Sequence, residues 1–248
     1  MTLEHELIPY HCCELPPGPW LVFAPHADDE TFGMGGALAL AADQQRQTHV
    51  VILTDGALGG DAPGPELVAT RQREVAAACE LLKVTSLQTW PLADRGLRQE
   101  DSTIERIATT IADINPGTVF FPGVLELHPD HRAAALLVWT ALQRLQQRAW
   151  RQLMPQIWSY DISVQSPANR LIDITSRIDL KQQAMAVYAS QNSQNNYPDV
   201  ILALNKARTF SLPADVTHAE AFYCYTPEQL TTPLHNAAKT ALAPYWST

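Results

Sequence analysis

Four short runs in the first half of the chain, 20–24 (WLVFA), 49–54 (HVVILT), 87–90 (LQTW) and 118–121 (TVFF), limit the fold more than any other feature. The first two are apolar at nearly every position rather than at every second one. Such runs belong to strands buried on both faces, and these occur in parallel sheets covered by helices on either side. The segments between them have helical period. Residues 33–47 carry Leu38, Leu40, Ala41 and Ala42, and residues 65–83 carry Val68, Val75, Ala78, Cys79 and Leu82. A third helix opens at Ser102, where Ser102 and Glu105 have the spacing of a capping box, and Asn115-Pro116-Gly117 stops it. A fourth follows His131, with Leu137, Val138, Ala141, Leu142 and Leu145 on one face. The β-α-β-α-β-α-β-α order predicts an α/β fold: a Rossmann-like open, mostly parallel sheet with helices on both faces, in a single domain.

Beyond Trp150 the pattern loosens. Residues 157–160, 171–174 and 220–225 read as short strands, 178–190 as a helix, 191–197 (QNSQNNY) as a polar loop over the substrate, and the tail from Thr226 as weakly helical. Residues 1–19 end in Leu-Pro-Pro-Gly-Pro and read as an irregular N-terminal extension, leaving 20–248 as the domain, with no repeat or linker. No apolar run approaches the roughly 18 residues of a membrane span. The N-terminus carries acids and histidine where a secretory signal carries basic residues, so a cytoplasmic location is expected. With 17 basic against 26 acidic residues and no Lys/Arg cluster, nucleic acid is a poor partner and a small, weakly charged molecule a good one. The oligomeric state stays open, a homo-oligomer included.

Open parallel sheets bind ligands beyond the carboxyl ends of their strands, and the chemistry-bearing residues follow strands. After the first comes FAPHADDETFGMGG (23–36), with His26, Asp28, Asp29 and Glu30; after the fourth comes LHPDHR (127–132), with His128, Asp130 and His131. A catalytic zinc takes three protein ligands and keeps one position open. His26, Asp29 and His131 supply such a set. Asp28 is then placed to take a proton from metal-activated water, and protonated His128 to face the oxyanion of a carbonyl under attack. Two histidines and one carboxylate also suit non-haem iron, so spacing alone does not choose the metal. Gly33-Met34-Gly35-Gly36 lacks the G-x-G-x-x-G order of a dinucleotide site, and its glycines fit close packing of helix on sheet instead.

The pairing of PHADDETFGMGG with HPDH resembles the PIG-L/LmbE-like deacetylases, zinc-dependent amidases acting on N-acetylglucosamine conjugates and related amides. The resemblance continues through TDGALGG at 54–60, Arg71-x-x-Glu74, Asp94, Asp173-Ile174-Thr175, Lys181, Tyr188-Ala189-Ser190-Gln191 and Ala219-Glu220-Ala221-Phe222, so it covers about residues 20–225. It implies His26, Asp29 and His131 as zinc ligands, Asp28 as general base, His128 as electrophilic or acid partner, and Arg71 and Asp94 as holders of sugar hydroxyls. Without it, Arg71 reads as an i,i+3 ion pair with Glu74, and Asp94 as a turn residue. Two positions depart from the pattern: Ala27 stands where most members have proline, and Glu126 where some sugar deacetylases have tyrosine. The function implied is de-N-acetylation of an N-acetylglucosamine-type conjugate with zinc-bound water. The alternatives are an amidase for a thiol-sugar adduct or secondary metabolite, and a non-catalytic sugar-binding module.

Overall fold

The computed structural model describes residues 11–60, 62–148 and 153–243. Its strands are β1 (His11–Cys12), β2 (Trp20–Ala24), β3 (Thr48–Thr54), β4 (Ser86–Leu92), β5 (Thr118–Pro122), β6 (Gln156–Tyr160), β7 (Arg170–Asp173) and β8 (Ala219–Tyr225). They form one sheet in the order β1-β7-β8-β6-β5-β2-β3-β4. Every pairing is parallel except those of β8 with β6 and β7, so β8 alone runs against the others. The chain winds from β2 outward to β4, then returns to place β5 on the other side of β2. That reversal opens a crevice past the carboxyl ends of β2 and β5, where an open α/β sheet takes its ligand.

The helices are α1 (Asp29–Asp43), α2 (Pro65–Leu81), α3 (Asp101–Ile114), α4 (Pro129–Gln147), α5 (Ile178–Ala186), the single turn α6 (Ala189–Asn192), α7 (Tyr197–Ala207) and α8 (Leu234–Leu242). Successive residues of β2 feed two cores. Trp20, Val22 and Ala24 pack under α1, α2, α5 and α7, while Leu21 and Phe23 pack under α3 and α4. Burial of both faces is what a continuously apolar strand requires, each large side chain contributing about 1.5–3 kcal/mol. Among the described residues no helix is long and apolar enough to cross a membrane.

Several boundaries differ from expectation. The extension expected to be irregular supplies β1, which pairs with β7 at the sheet's far edge. Helix α1 starts at Asp29, four residues before Gly33, so Asp29 and Glu30 occupy its first turn, where unpaired N–H groups favour carboxylates. The helix breaks at Met34 (φ −145°, ψ 25°). There Glu220 accepts the N–H groups of Gly36 and Ala37, each at 2.8 Å. Gly36 lies against Ile174, just past the end of β7, whose Cγ2 would sit 2.6 Å from a Cβ at that position. Gly36 and Gly33, the latter against the Tyr160 ring of β6, thus serve close packing.

The expected capping box does not form. Helix α3 begins at Asp101 with no side-chain cap, because Glu105 binds Arg144 and Arg148 of α4 instead. The helix expected over 178–190 ends at Ala186, and the polar stretch after it gives way to α6 and then α7.

Candidate metal centre

Thr54 at the end of β3 ties down the turn after β2, donating to Pro25 O from both its backbone N–H (3.0 Å) and its hydroxyl (2.8 Å). Asp28 then adopts φ 144°, a region L-residues rarely occupy, at a cost of about 1–3 kcal/mol. The turn lets the His26 N–H donate to Asp29 Oδ2 at 2.9 Å, so ring and carboxylate face the same point. From β5 the chain delivers Glu126, His128 and His131. His128 is the N-cap of α4, and its Nδ1 accepts the Asp130 N–H at 3.2 Å.

Asp29 spans the two outer histidines, with Oδ2 3.1 Å from His26 Nδ1 and Oδ1 3.2 Å from His131 Nε2. Donors on a tetrahedral metal with bonds of about 2.0–2.1 Å lie about 3.3 Å apart; each separation is of that size, and the two run to different oxygens of Asp29. The far nitrogen of each ring also meets a carboxylate. His26 Nε2 lies 3.3 Å from Asp130 and 3.4 Å from Asp94, and His131 Nδ1 lies 3.4 Å from Glu126. This carboxylate–histidine arrangement fixes ring orientation at metal sites. Nitrogens of His26, His128 and His131 fall within 4.8 Å of one another, a group that holds His128 as third donor and leaves out Asp29. His26, Asp94 and Asp130 form a second such group on the far side of the His26 ring.

The electrostatics suit a cation. Burial opposes charge on His131, yet Asp29 and Glu126 outweigh it and raise its pKa to about 9. His26 is likewise raised well above its ordinary value, with Asp130, Asp29 and Asp94 overcoming burial. Asp29 is held well below the carboxylate range, because its contacts with the two histidines outweigh its burial. Asp94 is drawn down to about 2 by His26 against the effect of burial. The carboxylates that favour protons on these rings would equally favour a divalent ion between them. Donor types, spacing and charge all fit a bound metal.

Asp28 differs from its neighbours. Burial pushes its carboxyl up to about 7, partly offset by Arg71. Arg71 does not form the i,i+3 pair with Glu74. Its buried guanidinium donates to Ala27 O at 3.0 Å and Asp28 Oδ2 at 3.3 Å, and Glu74 instead accepts from Ser190. Gly56 (φ +64°) lies flat against that guanidinium, within 3.0 Å of where a Cβ would project. Burial, and then His26 and His131, lower the His128 pKa. That shift favours the neutral ring over the protonated one. Because Nδ1 accepts from Asp130, the proton sits on Nε2.

All seven residues singled out in the sequence, His26, Asp28, Asp29, Arg71, Asp94, His128 and His131, line one cleft of about 680 Å³. Two supporting carboxylates emerge only in three dimensions. Asp130 accepts the N–H groups of Arg95 (2.7 Å) and Leu97 (3.3 Å), which joins the loop after β4 to His26. Glu126 is buried and accepts from Ile162 N (2.7 Å), Ser163 N (3.0 Å) and the Ser163 hydroxyl while it faces His131. In the sequence Glu126 shows only as a departure, standing where some sugar deacetylases have tyrosine.

Residues 21–142 match a family model described as PIG-L, GlcNAc-PI de-N-acetylase. Over 123 residues the chain is 32% identical to "Diacetylchitobiose deacetylase" of Thermococcus kodakarensis, a match covering 47% of this chain and 46% of that protein. Over 182 residues it is 28% identical to "Probable N-acetyl-alpha-D-glucosaminyl L-malate deacetylase 2" of Bacillus subtilis, covering 69% of this chain and 82% of that protein. It is also 30% identical over 104 residues to "4-oxalmesaconate hydratase" of Pseudomonas putida, covering 39% of this chain and 40% of that protein. The chain thus spans about half or less of two of these three relatives. Among solved structures, a conserved protein of Thermus thermophilus aligns with a TM-score of 0.74 at 28% identity, over 84% of this chain and 94% of that one.

Proposed function

We propose, from the premise that residues 21–142 of this chain are a PIG-L family domain, that the protein is a metal-dependent deacetylase hydrolysing the amide of an N-acetylglucosamine-type conjugate. The relatives named as deacetylases of diacetylchitobiose and of an N-acetylglucosaminyl malate support the substrate class. The observation that carries the reading is the Asp29 carboxylate spanning His26 and His131 at 3.1 and 3.2 Å, with Asp28 beside it in the same cleft.

His26, Asp29 and His131 would hold the metal, zinc by preference. A divalent ion there supplies Lewis acidity, which polarises a carbonyl and lowers the pKa of water toward about 7. Asp28, held by Arg71, takes the proton of the attacking water and passes it to the leaving nitrogen as the C–N bond breaks. His128 donates its Nε2 proton as a hydrogen bond to the oxyanion, a role that a neutral ring fills without a change of charge. Arg71 and Asp94 face the sugar hydroxyls from the same cleft.

Primary-amine release from a panel of N-acetylglucosamine conjugates, measured with the zinc-loaded protein, tests the reading. No release from any sugar, with an unsaturated carboxylic acid hydrated instead, would move this chain to the chemistry of its hydratase relative. Sugar binding without turnover would make it a non-catalytic module.

Two predictions concern the metal. Zinc loading of the metal-free protein should release protons, because His131 carries one up to about pH 9 against an ordinary value of 6.5. A raised folded-state pKa stabilises the metal-free fold below pH 6.5, and that contribution is lost as pH rises through about 9. Metal affinity should rise over the same interval, as calorimetry in buffers of different ionisation enthalpy would record; affinity flat with pH would contradict the assignment. Second, Glu126→Gln should weaken zinc binding by about 10–100-fold, read by competition with a chromophoric chelator. Unchanged affinity would show that Glu126 does no more than pin residues 162–163.

A further inference from the structure

We propose that the cleft is shaped for an N-acyl chain longer than acetyl, lying along an apolar wall made by Phe32, Ile162, Tyr197, Val200 and Ile201. The inference rests on the amide-hydrolysis reading above and extends it to the acyl half of the substrate.

The cleft has two unlike sides. Arg71, Asp94, Arg95 and Gln191 gather around residues 56–59 as a polar side, and the five apolar residues line the same cleft, with Ser163, Asn195 and Asn196 among them. The apolar side starts at the donor set. Phe32 stands three residues after Asp29, hence on the same face of α1. Ile162 is fixed by its N–H bond to Glu126, whose carboxylate also faces His131. From there the wall runs outward along α7, where Tyr197, Val200 and Ile201 recur at i, i+3 and i+4. The Tyr197 ring lies 5.9 Å from that of Phe32. Ile201 is buried in the core, whereas Val200 is left 53% exposed and Tyr197 37% exposed. Leu127, 71% exposed, lines the same cleft beside His128. Phe32 and Ile162 are buried as well, so Tyr197, Val200 and Leu127 are the apolar side chains left open at the cleft, and such exposure marks a ligand surface more than a packing accident.

Charge argues against an anionic substituent on that side. Apart from the histidines of the donor set, the only cationic side chains lining the cleft among the described residues are Arg71 and Arg95. Arg71 donates to Ala27, Asp28 and Gly56, and Arg95 donates to Leu58 O. The amide itself then assigns the two sides. Its nitrogen bears the sugar, which the hydroxyl-binding side takes. Its carbonyl carbon, reacting at the donor set, bears the acyl chain, and the wall that begins at that set is apolar. Hydrolysis would release the free amino sugar and the carboxylate of the same chain length.

The experiment compares N-acetyl- and N-octanoyl-glucosamine, identical but for the chain, with zinc-loaded protein. One methylene in a closed hydrophobic pocket discriminates by about 10–200-fold. For six methylenes along an open wall we expect at least about a 10-fold higher kcat/KM for octanoyl. Val200→Asp and Tyr197→Ser should each bring that ratio toward one. Calorimetric binding of both compounds to zinc-loaded Asp28→Asn protein gives the same ratio without turnover. Equal turnover and equal binding would overturn the chain proposal while leaving amide hydrolysis standing. No amine from either compound would sink the hydrolysis reading, and the binding ratio would still decide the wall. A preference for an octyl glycoside of N-acetylglucosamine, with an N-acyl ratio of one, would move the wall to the aglycone and overturn the assignment.

Discussion

Replacing Asp28 with asparagine is expected to lower kcat by about 10²–10⁴-fold, the range that a positioned general base contributes, while zinc affinity stays within a few-fold of wild type. The substitution suits the site. Asparagine matches aspartate in shape and is among the residues that best tolerate positive φ, so the turn at 144° should survive. Arg71 keeps its bond to Ala27 O and an amide oxygen to meet in place of the carboxylate. What disappears is the basic lone pair. Burial holds the Asp28 carboxyl near 7, and a bound dication would draw it lower. At saturating zinc, wild-type kcat/KM should therefore fall as pH drops through a value at or below about 7, and the asparagine variant should lack that limb. A variant that keeps more than about a tenth of the activity, or keeps the acid limb, would take the base role from Asp28.

The parts of this molecule legible in its sequence are those whose physics is local. Trp20–Ala24 and the runs of β3 and β5 bury both faces, and the sheet places them side by side as that requires, while the more polar 87–90 run lies in the partly exposed edge strand β4. Because β2 and β5 are neighbours at the reversal of strand order, the loops after them meet, and His26, Asp29 and His131 converge from segments about a hundred residues apart. Glu126 shows the limit. Nothing within its own stretch says that it will face His131, since the partners that fix it, Ile162 and Ser163, arrive from beyond β6. The same holds for Glu105, where a short-range capping pattern loses to two guanidinium groups on α4. Helix α7 is a different case. Tyr197, Val200, Ile201 and Leu204 have helical spacing, but the amide-rich run before them reads as loop, and the apolar face becomes meaningful only once Phe32 lies against it.

Lys181→Met should cost the fold about 3–5 kcal/mol, the usual penalty for removing one partner of a buried pair, although Lys181 lies outside the cleft. Its ammonium is fully buried and donates to Glu220 (2.7 Å), Asn205 (2.8 Å) and Phe32 O (2.9 Å). Glu220 in turn caps the second half of α1 at the Met34 break. Methionine fills the space but leaves the Glu220 carboxylate charged and surrounded by apolar side chains. For a chain of this size about 2–4 °C is lost per kcal/mol, so Tm should fall by roughly 6–20 °C. Adding Glu220→Gln should restore most of the loss, because the amide oxygen still accepts an N–H of Gly36 or Ala37 and no charge remains buried. The argument reaches the metal centre through Phe32, whose carbonyl is tied to Lys181 one turn beyond Asp29. Zinc affinity should therefore drop in the single variant and recover in the double. A single variant melting within about 2 °C of wild type would show that the pair does not brace α1. Restored Tm without restored affinity would show that the brace serves the fold alone and that Asp29 is positioned by its own turn.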